Sequence, residues 1–136
     1  MTAVDEVMTR DPRTVTAATT VIEAARAMRD DEIGSLPVIE GERLVATVTD
    51  RDIVLRVVAD ARPLDTTVGE IASRELVTID PQQSVEEAMR LMAEHQVRRL
   101  PVCEEDGRLV GIVAQADVAR HGSDERAGET VERISE

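Results

Sequence analysis

Slid along itself by 64 residues, the chain lays Val4–Val38 over Val68–Val102 without a gap, and few folds can satisfy that constraint. Twelve pairs are identical: Val4, Glu6, Arg10, Thr14, Val21, Glu23, Ala24, Arg26, Met28, Leu36, Pro37 and Val38 each meet their own kind. Pairs such as Val7/Ile71, Val15/Ile79, Thr20/Ser84 and Ile33/Val97 are conservative. One inserted residue moves the offset to 65, where Arg43-Leu44-Val45 meets Arg108-Leu109-Val110 and Asp52 meets Asp117. Two copies of one unit therefore fill nearly all of the 136 residues. The expected division is repeat 1 over 1–60, a linker over 61–67, repeat 2 over 68–121 and a flexible acidic tail over 122–136. Either half alone is near the size at which a private core becomes marginal, so the repeats are expected to share one core.

Each repeat follows the same order of elements. A short strand around Thr14–Thr16, or Val77–Asp80, precedes a helix opened by Thr20-Val-Ile-Glu23 or Ser84-Val-Glu-Glu87. Both openings match the capping box, a hydroxyl followed three residues later by a carboxylate. Val21, Ala24, Met28 and Val85, Ala88, Met92 recur at helical spacing and read as core. Leu36-Pro-Val and Leu100-Pro-Val then lead through a tight turn into Leu44–Thr49 or Leu109–Ala114. A last helix begins near Asp50 or Gln115.

Charge excludes several classes of function. The net charge is −12, all 16 basic residues are Arg, and the chain holds no aromatic residue. A polyanion repels nucleic acid and anionic membrane surfaces, and without aromatic rings single-stranded bases have no stacking platform. The absence of Lys, Asn and aromatics, whose codons are AT-rich, points to a GC-rich bacterial genome. No apolar run approaches the ~18 residues of a membrane span, and Met1–Val7, with Asp5 and Glu6, lacks the pattern of a secretory leader. A single cysteine, Cys103, fits a reducing compartment, so a cytoplasmic location is expected. It reads as a small apolar core residue, with an inter-subunit disulfide or redox sensor as the alternative. His95 and His121 stand apart from any ligand or catalytic set. No metal site, catalytic constellation or enzyme activity is expected.

One constellation carries chemistry. Val48-Thr49-Asp50-Arg51-Asp52 lies where a strand meets a helix N-terminus, whose free N–H groups and dipole attract anions. A carboxylate at Asp52 can accept two hydrogen bonds from the vicinal hydroxyls of a ribose, with Thr49 beside it and Arg51 adding charge. The same Thr-x-x-Asp pattern is also a capping box, which needs no ligand.

Taken together, these residues resemble the cystathionine-β-synthase (CBS) domain, here as the tandem pair called the Bateman module. The resemblance spans roughly residues 4–121. It rests on Leu-Pro-Val in both repeats, on Leu44-Val-Ala-Thr-Val-Thr-Asp-Arg-Asp-Ile53 and on Leu109-Val-Gly-Ile-Val-Ala-Gln-Ala-Asp-Val118. Thr49–Val54, His95–Arg99 and Ala116–His121 look most like stand-alone pairs of the hypoxic-response type. The resemblance implies an α/β (α+β) fold of two βαββα-like repeats related by pseudo-twofold symmetry, with two clefts between them. It implies a regulatory ligand of adenosine type, such as AMP, ADP, ATP or S-adenosylmethionine, with no cofactor required. The Thr/Ser-x-x-Asp motif that holds ribose maps onto Thr49 and Asp52, and in part onto Asp117. Adenine contacts map onto Thr14, Val15, Thr16, Val38, Thr78, Ile79, Asp80 and Val102. Phosphate contacts map onto Arg98 and Arg99, beside Arg51. Repeat 2 departs from the pattern, because Ala114 stands where repeat 1 has Thr49, and Gly34 and Ser35 stand opposite Arg98 and Arg99. The resemblance also implies homodimers built from helix faces. Two readings follow: a ligand-sensing pair signalling to a separate effector, or a ligand-free dimerisation scaffold with a stress-related role.

Overall fold

The computed structural model describes residues 1–121, so the expected acidic tail lies outside the described residues. Among them the chain divides into two compact units. The first unit holds Arg13–Leu76 and Asp106–Leu109; the second holds Met1–Pro12, Val77–Glu105 and the chain from Val110.

The elements, in order, are a 3-10 turn Val4–Glu6, β1 (Thr9–Arg10), α1 (Val21–Asp31), β2 (Ser35–Glu40), β3 (Arg43–Thr49) and α2 (Asp50–Ile53), which continues as a π-helical turn Val54–Val58. After these come α3 (Val68–Ile71), α4 (Val85–His95), β4 (Arg99–Cys103), β5 (Leu109–Ala114) and a helix α5 over 115–121. In the first unit β2 and β3 are antiparallel, from Ser35 opposite Thr49 to Glu40 opposite Arg43. Val15 bridges parallel to Val38, and Ser73 bridges antiparallel to Thr47. In the second unit the sheet order is β1-β5-β4, and Ile79 bridges parallel to Val102. This is the mixed α+β architecture that the repeat grammar requires.

The long helices form where the sequence places them. The Thr20 hydroxyl accepts from the Glu23 N–H at 3.3 Å, and the Ser84 hydroxyl accepts from the Glu87 N–H at 3.1 Å. Each helix ends at a left-handed residue, Glu32 or Gln96, both with φ of 54°. The Ile33 and Val97 N–H groups then reach back to the Met28 and Met92 carbonyls, closing Schellman motifs.

Two leading segments trade places between the repeats. The Val21 N–H donates to the Thr66 carbonyl at 2.8 Å, and the Val85 N–H donates to the Thr2 carbonyl at 3.0 Å. In return the Val68 N–H donates to Thr19 and the Val4 N–H to Gln83, at 2.7 and 2.8 Å. α3, which opens repeat 2 in sequence, thus packs in the first unit, and the turn Val4–Glu6 packs in the second. Two glycines permit the close approach. A Cβ on Gly69 would lie 2.9 Å from the Ala17 Cβ, and one on Gly111 would lie 2.8 Å from the Thr9 carbonyl oxygen.

Several expectations are corrected. Buried apolar residues form two clusters rather than one shared core. Val15, Val21, Leu36, Val48, Val68 and Ile71 are among the first, and Val4, Ile79, Leu100, Val102 and Val113 among the second. The exchanged Val4, Val68 and Ile71, each at most 1% exposed, give each unit enough apolar volume for a core of its own. The strands expected around Thr14–Thr16 and Val77–Asp80 shrink to single bridging residues. Both break as the chain turns, with the Thr16 N–H donating to the Thr19 hydroxyl and the Gln82 N–H to the Asp80 carboxylate. The linker expected over 61–67 keeps that reading and is itself tied down, through the Leu64 and Thr66 carbonyls, which accept from α1. No helix among the described residues is long and apolar enough to cross a membrane.

Truncating Ile71 to Ala should cost about 2–5 kcal/mol, as for other large-to-small core changes. Native-state hydrogen exchange should show the loss chiefly in β2 and β3. Loss of protection confined to β4 and β5 would contradict the exchange of segments.

Candidate functional site

β3 delivers Thr49 to the start of α2, and there the residues singled out for ribose binding face each other. The Thr49 hydroxyl accepts from the Asp52 N–H at 3.0 Å, and Asp52 Oδ2 accepts from the Thr49 N–H at 2.9 Å. Both halves of the capping box are therefore closed. Asp52 Oδ1 lies 4.0 Å from Arg56 Nε, and the Asp52 side chain is 16% exposed. The pair presents an accepting carboxylate oxygen and a hydroxyl proton. Arg51 is exposed beside it, and the Asp50 carboxylate accepts from the Arg51 N–H at 2.8 Å.

The second unit repeats this arrangement with one part missing. Asp117 Oδ2 accepts from the Ala114 N–H at 3.2 Å, but Ala114 has no hydroxyl to accept from Asp117. Asp117 Oδ1 is engaged by Arg120 at 2.5 Å. Half a capping box remains.

The other predicted residues divide by unit. Thr14, Val15, Thr16, Val38, Thr49, Arg51 and Asp52 lie in the first unit, and Thr78, Ile79, Asp80, Arg98, Arg99, Val102 and Asp117 in the second. Val15, Val38, Ile79 and Val102 are core members, so their side chains are committed to packing. Val15 uses its N–H on the Pro37 carbonyl and its carbonyl on the Ile39 N–H. Alternate residues of an extended segment point oppositely, so Thr14 and Thr16 turn their backbone groups away from β2. Thr16, Thr78 and Asp80 are exposed, as are Arg98 and Arg99.

Cys103 is buried, and burial pushes its thiol up to about 11, so it stays protonated in the neutral range. The unfolded thiol ionises at lower pH, so this group's contribution to stability falls as pH rises above the ordinary thiol range. Sequence reasoning missed Arg56, whose Nη1 donates to the Ile71 carbonyl at 2.8 Å. No periodic signal marks a residue whose partner lies on an exchanged four-residue helix.

Replacing Thr49 with Ala should cost about 1 kcal/mol, the usual worth of an N-cap hydroxyl. The converse change Ala114→Thr should recover part of such a gain. Urea unfolding followed by far-ultraviolet circular dichroism reads both, and no loss in Thr49→Ala together with no gain in Ala114→Thr would break the assignment.

The CBS domain family matches residues 4–59 and 68–124. The CBS domain-containing protein YhcV of Bacillus subtilis is 43% identical over 136 residues, covering 99% of this chain and 96% of that protein. The crystal structure of Hypoxic Response Protein I with two coordinated zinc ions is 41% identical and covers 89% of this chain and 99% of that one, with a TM-score of 0.79. Among the described residues of the present chain, no group of three His, Cys, Asp or Glu side chains comes together to hold such an ion. CBSX2 in complex with AMP is 26% identical, covers 93% of this chain and 99% of that one, and has a TM-score of 0.81.

Proposed function

The chain belongs to the CBS-domain family as a tandem pair, and from that premise we propose a non-catalytic regulatory module that senses an adenosine-containing ligand and passes the event to a partner protein. The observation that carries this reading is the Thr49–Asp52 pair. Its Asp52 Oδ1, which accepts no hydrogen bond from the cap, and its Thr49 hydroxyl proton suit the vicinal hydroxyls of a ribose. Thr14, with its backbone groups turned away from β2, suits the polar edge of adenine in the same unit, whereas the Thr16 N–H and carbonyl are taken by Thr19. CBSX2 bound to AMP supports the ligand class.

Charge selects within that class. At a net charge of −12, added phosphates raise the repulsion, so AMP and S-adenosylmethionine are favoured over ADP and ATP. Arg51 is the cation of the first unit assigned to phosphate, and Arg98 and Arg99 are those of the second. Asp117, with no hydroxyl beside it and Arg120 on its outer oxygen, is assigned the weaker site. The exposed apolar run Val54, Leu55 and Val58, the last 66% exposed, supports a homodimer.

A second reading, the dimerisation scaffold with a stress-related role, is favoured by the capping box, which is already complete without a ligand.

Calorimetric titration with AMP, ADP, ATP, NAD and S-adenosylmethionine should reveal one dominant site per chain, with AMP or S-adenosylmethionine tightest. Asp52→Ala should abolish it and Asp117→Ala should leave it. No heat at millimolar ligand would hand the protein to the scaffold reading.

A further inference from the structure

We infer that Arg56 ties the Asp52 carboxylate to the seat of α3, so that events at this carboxylate are felt by the helix exchanged from the other repeat. Arg56 stands in the π-helical turn, four residues after Asp52 and so on the same helix face. The turn is held by Ala59 and Arg62 N–H groups donating to the Val54 and Val57 carbonyls, each at 2.9 Å. One donor of the guanidinium, Nε, lies 4.0 Å from Asp52 Oδ1, while another, Nη1, donates to the Ile71 carbonyl at 2.8 Å. Both contacts come from one planar guanidinium, so a turn of the fork at one is passed to the other. Ile71 is the last residue of α3 and is 1% exposed. Immediately beyond it, the Ala72 N–H donates to the Val68 carbonyl and the Ser73 N–H to the Thr47 carbonyl, both at 2.9 Å.

The sign of the coupling follows from the charge. The carboxylate orients the guanidinium, and the guanidinium holds the end of α3. A ligand hydroxyl donating to Asp52 Oδ1 draws on the same negative charge and weakens the hold on Arg56. Ligand therefore loosens the end of α3. The second unit differs at the corresponding places: Asp117 Oδ1 is engaged by Arg120, and the residue matching Arg56 is His121. Arg56 is a positioning residue, and its link to ligand rests on the proposed role of Asp52.

The test is a double-variant cycle read by amide exchange at Ala72 and Ser73 in the full chain. Without ligand, Asp52→Asn and Arg56→Gln should each speed exchange at these two amides roughly two- to fivefold, the scale of a half-exposed ion pair. The double variant should be no faster than the quicker single one. Added AMP should speed the same amides in the wild type and leave them unmoved in Arg56→Gln, which calorimetry should still show binding AMP. Arg56→Lys, with its charge kept and its fork lost, should behave as Arg56→Gln does and serves if the latter folds poorly. Additive effects in the double variant, or an undiminished AMP response without Arg56, overturn the link. A non-additive cycle with no AMP binding to the wild type sustains the link and removes the ligand from the site.

Discussion

Each long helix depends on a short segment from the other repeat. A helix N-terminus carries backbone N–H groups that its own turns cannot satisfy. Here the first N–H of α1 is taken by Thr66 and that of α4 by Thr2. The same short segments carry Val4, Val68 and Ile71 into the two apolar clusters. One set of contacts thus satisfies the polar ends of the helices and completes their apolar faces. The matching is closed: every donor and acceptor named for one junction recurs at the other, 64 residues away.

That junction also sets the surroundings of the candidate site. α3 can reach Arg56 only because it is exchanged into the first unit, and Arg56 stands one turn from Asp52. Chemical divergence has been laid on this matched framework. Thr49 and Asp52 form a closed pair, whereas Ala114 and Asp117 form half of one. The difference costs the second unit a hydroxyl and half of one capping box, and leaves its Ser84 cap and its Ile79–Val102 bridge in place. Shared positions build both units, and the unshared pair Thr49 and Ala114 distinguishes their two capping boxes.

The sequence made much of this readable. The offset of 64 and then 65 residues, the Thr20 and Ser84 caps, the Leu-Pro-Val strands and the Thr49–Asp52 pair are all local patterns, and each takes its expected place. The exchange was not readable, because a repeat in sequence looks contiguous and nothing in Thr2 or Thr66 says which α-helix its carbonyl will cap. Turns as short as Val4–Glu6 and α3 hold too few residues to show a period. The π-helical turn escaped for another reason, since Val54–Val58 fits an ordinary helix equally well by composition. At the site, Thr-x-x-Asp spells both a cap and a ribose clamp, and the structure realises the cap.

The central claim is that Thr49 and Asp52, rather than their counterparts in repeat 2, form the adenosine site. Amide chemical-shift mapping on isotope-labelled protein with AMP tests it most directly. The account predicts saturable shifts at Thr14, Thr16, Thr49 and Asp52, and far smaller ones at Thr78, Ala114 and Asp117. Shifts of equal or greater size at Ala114 and Asp117, or none at Thr49 and Asp52, would contradict it.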